Sequence, residues 1–323
     1  MSDFPAVADP QLSSVSRPEK PRYPQLQDAW PNAKPFALNG FMERHGFTPI
    51  WSSIAILVLA LLVMNVVGAI LIAFAIAPQI LEAGSDADAQ TLMVEAFENN
   101  ANLLLTANAL GLLFGLGLVG WLAARLTSKN SLAFLRIRMP DIPNVALAIV
   151  GWLALLPGLF WLGGFNQRLP QPQWLEDLEQ AQTDMLDAAL MDPALGVVFL
   201  LITVALAPAI CEEILFRGYL QRQVERKWGV LWSILLVGTL FGVFHLRLTQ
   251  AAPLALLGCY FGYVTWVSGS LWTASIIHLL NNGVQVIAVV RARGSAELDM
   301  SEPIGVAWYL GILSLLAVVG LCV

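Results

Sequence analysis

Residues 193–218 read PALGVVFLLITVALAPAICEEILFRG, and the reading of this stretch decides the fold. As a helix rising 1.5 Å per residue it is long enough to cross about 30 Å of hydrocarbon. Yet it carries the adjacent carboxylates Glu212 and Glu213 and, four positions after the second, Arg217. Charges at that depth are costly and are kept where chemistry or transport needs them. Asp192-Pro193 supplies an N-cap followed by proline in the first turn, a good start for such a helix.

Working outward, the rest of the chain has the same character. Hydrophobic residues make up 57% and charged residues 12%, with a mean hydropathy of +0.69. Soluble domains are about 45–50% apolar and about 25% charged, so an ordinary soluble globule is excluded. Further apolar runs lie at Trp51 to Ala77, Ala101 to Leu122, Val145 to Phe165, Val230 to Leu246, Pro253 to Val267, Leu271 to Val290 and Pro303 to Val323. The expected fold is therefore all-α, a polytopic transmembrane helix bundle of about eight spans. The sixth run is short, and Pro157-Gly158 in the third is a candidate kink.

Residues 1–48 differ in kind. The first part is rich in Pro, Ser, Asp and basic groups without periodicity, and the segment reads as a disordered cytoplasmic tail and lead-in to a membrane domain over 49–323. No short apolar core follows a basic start, so no cleavable signal peptide is expected. Thirteen of the seventeen Lys and Arg residues fall on the N-terminal side of the spans. The positive-inside rule then places the N-terminus in the cytoplasm of a multi-pass protein in the cell membrane. A net charge of −6, spread over loops, implies no nucleic-acid partner. Cys211, Cys259 and Cys322 sit in spans and read as small packing residues rather than a disulfide framework. The polar segment Asn166 to Asp192 can form an amphipathic surface helix through Trp174, Leu178, Met185 and Leu186. The final run reaches Val323 without a polar anchor, which leaves open a natural chain that extends further.

The polar residues inside the spans converge on one region. Glu213 and Arg217 share a helix face in the favourable acid-then-base order, so an ion pair is expected. Glu212 is turned about 100° away and stays free for proton chemistry. Lys227-Trp228-Gly229 is the natural turn after this span, and Glu212 and His245 lie at nearly equal distances from Trp228, so antiparallel helices put them level. His278 and Asn282, four apart, face one way on a later span. A lone intramembrane histidine is more often packed than catalytic, but two of them, one with an asparagine on its face, shift the reading to a site. One tension stands: His245 is about 22 Å into its span and His278 only about 10 Å into its own. Spans that project into the cytoplasm before turning would relieve it.

Glu212-Glu213-x-x-x-Arg217, Phe241-x-x-x-His245 and His278-x-x-x-Asn282 resemble, in order, the three motifs of the CPBP family, which comprises CAAX proteases and bacteriocin-processing or Abi-type membrane proteins. The resemblance covers a motif-bearing core at about 193–290. It implies an eight-span intramembrane endopeptidase acting on a membrane-associated or lipidated peptide or protein in the lipid bilayer. Glu212 is then the catalytic carboxylate, His245 a partner in positioning or activating water, and His278 with Asn282 the oxyanion stabilisers, with Glu213 and Arg217 a supporting ion pair. The chemistry agrees: a buried carboxylate can take a proton from water, and donors aimed at a developing oxyanion lower the barrier.

Metal use is open at this stage. Glu212, His245 and His278 are candidate zinc ligands that leave a position for water. The chain lacks His-Glu-x-x-His, and the reading leans slightly to no tightly bound metal. Gly-x-Ser-x-Gly and Gly-x-Gly-Asp are also absent, and Ser268-Gly269-Ser270 reads as a turn. The alternative of another class is a non-proteolytic membrane scaffold, or a transporter with an intramembrane polar site. No repeat with paired interrupted helices supports the transporter.

Overall fold

The computed structural model of the chain describes residues 25–26, 34–83, 101–191, 196–292 and 306–322. Two short strands, β1 (Gln25–Leu26) and β2 (Phe36–Ala37), pair antiparallel, and all the other described elements are helical. In chain order these are α1 (Phe41–Arg44), α2 (Pro49–Ala83), α3 (101–127), α4 (Ser131–Phe134), α5 (Ile142–Asn166), α6 (Gln173–Met191), α7 (Val197–Trp228), α8 (Val230–Phe244), α9 (Leu248–Ser268), α10 (Leu271–Ala292) and α11 (Trp308–Cys322). Six of them are long and apolar enough to cross a membrane, and α8 and α11 are shorter apolar helices. The polytopic helix bundle read from the sequence is the observed architecture. Its outer face carries exposed Val58, Leu62, Leu147, Leu231 and Trp232, as a surface in contact with lipid tails does.

The boundaries moved where polar residues are buried inside the protein. The apolar run ends near Gly218, and the central helix α7 continues beyond it to Trp228, up to the turn expected at Lys227-Trp228-Gly229; from Leu215 to Val224 every residue is buried. π-helical turns occupy Leu201–Leu206 and Ile214–Leu220, on either side of the paired glutamates. Such turns are rare and are frequent at functional sites. Arg222, for all its charge, is fully buried and donates to the carbonyls of Phe134 and Ala133 at the end of α4.

Helix α5 runs through Pro157 without interruption. Ser314 of α11 enters the backbone ladder there, accepting from the Gly158 N–H and donating to the Ala154 carbonyl, a local repair of the ladder where proline sits. Helices α8 and α9 meet at unusually close range. A Cβ on Gly258 would stand 2.7 Å from the Gly238 carbonyl oxygen, and one on Gly242 would stand 2.4 Å from that of Ala251. Only glycine allows this approach, which is how membrane helices pack without a hydrophobic driving force. The turns after α7 and α9 fall at Gly229 and Gly269, both with positive φ.

Residues 34–48 are more structured than their composition suggests. Phe36 and Leu38 are buried against the bundle, Gly40 N–H donates to Thr127 O at 2.9 Å, and Glu43 pairs with Arg226 at 2.7 Å. The Asp192-Pro193 cap lies outside the described residues. The surface helix over 166–192 is present as α6, but Trp174 and Leu178 are exposed and the buried residue is Glu179; the side chains of Met185 and Leu186 lie outside the described ones.

Candidate active site

Helices α7, α8, α9 and α10 bring the motif residues together. Glu213 and Arg217 form the expected i, i+4 ion pair at 2.9 Å, with both side chains fully buried. The second arm of the Arg217 guanidinium donates to Gly258 O at 3.0 Å, a carbonyl within reach because α8 and α9 are so close. Arg217 also lies over the Phe241 ring at 4.3 Å and the Phe261 ring at 5.1 Å. Aromatic faces and a carbonyl thus stand in for the water that a buried guanidinium has lost.

His278 joins the two glutamates. Its Nδ1 lies 2.9 Å from Glu213 Oε1, the same oxygen that accepts from Arg217, and its Nε2 lies 3.9 Å from Glu212 Oε2. The imidazole stacks on Phe261 and meets Phe241 edge-on, which fixes the plane of the ring. Because a carboxylate beside Arg217 accepts only, Nδ1 is the donor to Glu213, and Nε2 is the atom turned to Glu212. Glu212 is itself buried, and among the described residues its Oε2 has no hydrogen-bond partner. A buried, unpaired carboxylate oxygen is rare in structures and calls for an explanation.

His245 caps α8 and donates from Nδ1 to Phe241 O at 2.8 Å, leaving Nε2 as an acceptor. It packs edge-on against Phe241 at 4.8 Å, on the same ring that His278 meets at 5.9 Å. The two histidines therefore stand near one level, and the depth mismatch in the sequence has a structural answer. Leu271 N–H, at the start of α10, donates to Arg136 O, and the Arg136 side chain reaches on to Glu225. Glu225 lies about 18 Å beyond Glu213 along α7, whereas His278 is only about 10 Å into α10, so the α7–α8 hairpin projects past the start of α10. Among the described residues no hydrogen bond or ion pair joins His245 to Glu212.

Asn282 lies one turn from His278, and its Nδ2 donates to Val204 O, in the π-helical turn of α7, at 3.2 Å. Its Oδ1 accepts from Asn281, whose own Oδ1 accepts from Trp152 Nε1 of α5, both at 3.2 Å. Asn281, Trp152 and Phe261 were missed at the level of sequence. Asn281 had a signal, being a second carboxamide in an apolar span. Trp152 and Phe261 had none, since an aromatic residue in a span reads as packing. Among the described residues, no group of three or more His, Cys, Asp or Glu side chains is placed to hold a metal ion.

Comparison with known families agrees with the motifs. Residues 194–284 match the family model described as Rce1-like, type II CAAX prenyl endopeptidase Rce1-like, consistent with the CPBP family. The matched segment contains Glu212, Glu213, Arg217, His245, His278 and Asn282, and the match supports an intramembrane endopeptidase activity in general terms. No curated protein and no solved structure matched the chain.

Proposed function

Taking residues 194–284 as an Rce1-like core of the CPBP family, we propose that the protein is an intramembrane endopeptidase that hydrolyses a peptide bond of a membrane-associated or lipidated substrate. The observation that carries this reading is the open Oε2 of buried Glu212, facing His278 Nε2 across 3.9 Å. That gap is longer than a hydrogen bond, and an oxygen of water or substrate can bridge it.

In this reading Glu212 takes the proton of the attacking water, which His245 orients through Nε2. The water oxygen adds to the scissile carbonyl, and the oxyanion is met by His278 and Asn282. Donation from His278 Nε2 requires the imidazolium, because Nδ1 already donates to Glu213. Asn282 commits one N–H to Val204 and has a second for the oxyanion. Glu212 then returns the proton to the leaving amine. In this mechanism Glu212 and His245 activate the water without a metal ion. The motif core is part of a membrane domain over 49–323, set in the cell membrane with its N-terminal side in the cytoplasm.

The test is cleavage of a quenched, C-terminally lipidated peptide and an unlipidated control by purified protein in detergent. Wild type cleaves the lipidated peptide, Glu212→Ala and His245→Ala do not, and a zinc chelator leaves the wild-type rate unchanged. Cleavage that persists in Glu212→Ala would overturn the assignment of the base, and loss on chelation would overturn the metal-free mechanism. A biological effect retained by Glu212→Ala, with no cleavage by wild type, would instead support a binding scaffold.

A further inference from the structure

The turn that carries His245 is built under strain and is tied down from outside. His245 ends α8, Leu246 has φ of +51°, and Arg247 begins the approach to α9. A left-handed leucine is a costly backbone state that persists only where its surroundings enforce it. The first turn of α9 leaves backbone N–H groups without intrahelical partners, and its N-cap residue Arg247 makes no side-chain cap.

The missing cap comes from α6. Glu179, 6% exposed while its neighbours Glu176 and Asp177 are exposed, accepts the Thr249 backbone N–H on Oε1 at 3.2 Å and the Thr249 hydroxyl on Oε2 at 2.7 Å. A carboxylate at a helix N-terminus also complements the helix dipole. A second tie runs from Arg247 Nη2 to Thr183 Oγ1, one turn further along α6, at 2.9 Å. The acidic helix between two spans therefore grips both residues that flank the start of α9, two to four positions after His245.

We propose that Glu179 is a positioning residue for His245: through Thr249 it holds the strained turn that aims the imidazole at the reacting water. The role rests on the protease reading, in which His245 orients that water. Among the described residues the His245 side chain makes one hydrogen bond, to Phe241 O, which sets the tautomer and leaves the approach of the ring to be fixed by the backbone that follows. A small misplacement of such a group is felt in the chemical step rather than in substrate binding.

The experiment uses the full chain in detergent with four variants. Thr249→Val removes the hydroxyl and keeps the shape, Glu179→Ala removes the acceptor, Thr249→Ser restores the hydroxyl and Glu179→Gln keeps an acceptor for the N–H. Thr249→Val and Glu179→Ala are expected to lower kcat about tenfold with KM unchanged. They also speed hydrogen exchange over residues 245–249, while Thr249→Ser stays near wild type and Glu179→Gln falls between. Variants that lose folded protein but keep the wild-type kcat per folded molecule would make Glu179 a structural brace only, and unchanged exchange at 245–249 would overturn the tie itself. A wild type that cleaves nothing would fail the protease reading and with it this role, and the exchange data would still show whether Glu179 pins the turn.

Discussion

Gln221, Arg222 and Gln223 are as deeply buried along α7 as Glu212, Glu213 and Arg217, two turns earlier, but the two groups satisfy their polar atoms in different ways. In the later group the donors end mostly on fixed protein acceptors: Arg222 on Phe134 O and Ala133 O, Gln221 on Gly262 O, and Gln223 on the Tyr219 hydroxyl. Such bonds tie α4 and α9 to the central helix and ask nothing of a ligand. In the earlier group Arg217 and His278 converge on one oxygen of Glu213, and among the described residues Arg217 Nε and two charged oxygens, Glu212 Oε2 and Glu213 Oε2, have no partner, whereas the later group leaves an amide oxygen, Gln221 Oε1, open. Burial and charge alone do not separate a site from a scaffold. The separation comes from where the donors end and which atoms stay open.

The comparison breaks or holds first at Glu212. Glu212→Gln keeps the volume and removes the base, so kcat is expected to fall by about a thousandfold. The thermal midpoint in detergent should stay level or rise, because the variant relieves a buried charge with an unpaired oxygen. A melting point that collapses would place Glu212 with the scaffold instead. Arg222→Met should do the reverse. It strands the Phe134 carbonyl at the end of α4, while Ala133 O keeps the Arg136 N–H, at a cost of roughly 1–3 kcal/mol of stability, and leaves kcat per folded molecule unchanged. Denaturation in detergent combined with active-site titration checks both halves of that statement.

Arg217→Lys sharpens the boundary, because Arg217 belongs to both kinds of bonding. It holds Glu213 with one nitrogen and the Gly258 carbonyl with another, and lysine cannot span both with the same geometry. We expect a loss of roughly 1–2 kcal/mol in stability, and about a tenfold fall in kcat as Glu213 and His278 lose their alignment. A fall in only one of the two would assign Arg217 to a single layer.

The legible parts of the molecule were those written in periodicity and charge. The spans, the turns at Gly229 and Gly269 and the Glu213–Arg217 pair followed from apolar length, glycine and helical spacing. What stayed hidden depends on contacts between distant segments. The burial of Arg222 was hidden because its acceptors come from α4, a segment distant in the chain. The packing of Phe36 and Leu38 was hidden because a Pro-rich tail gives no periodic signal. Within the site, the motif residues were legible by type and spacing. The ring of Phe241 as the shared wall of both histidines, and the projection of the α7–α8 hairpin that levels them, were not.

The smallest expected effect tests how far the open layer extends. Trp152 of α5 reaches Asn282 only through Asn281, by neutral hydrogen bonds of 3.2 Å. Trp152→Phe removes one N–H while keeping an aromatic ring in place, and a neutral bond of this kind contributes about 0.5–1.5 kcal/mol. If that bond orients the Asn282 amide for the oxyanion, the loss appears in kcat, about threefold to tenfold, with KM and melting point unchanged. If the bond serves only packing between α5 and α10, the same loss appears in the melting point and kcat does not move. The first result would extend the catalytic layer across a third helix face to α5; the second would return Trp152 and Asn281 to the scaffold and leave Asn282 oriented by Val204 alone.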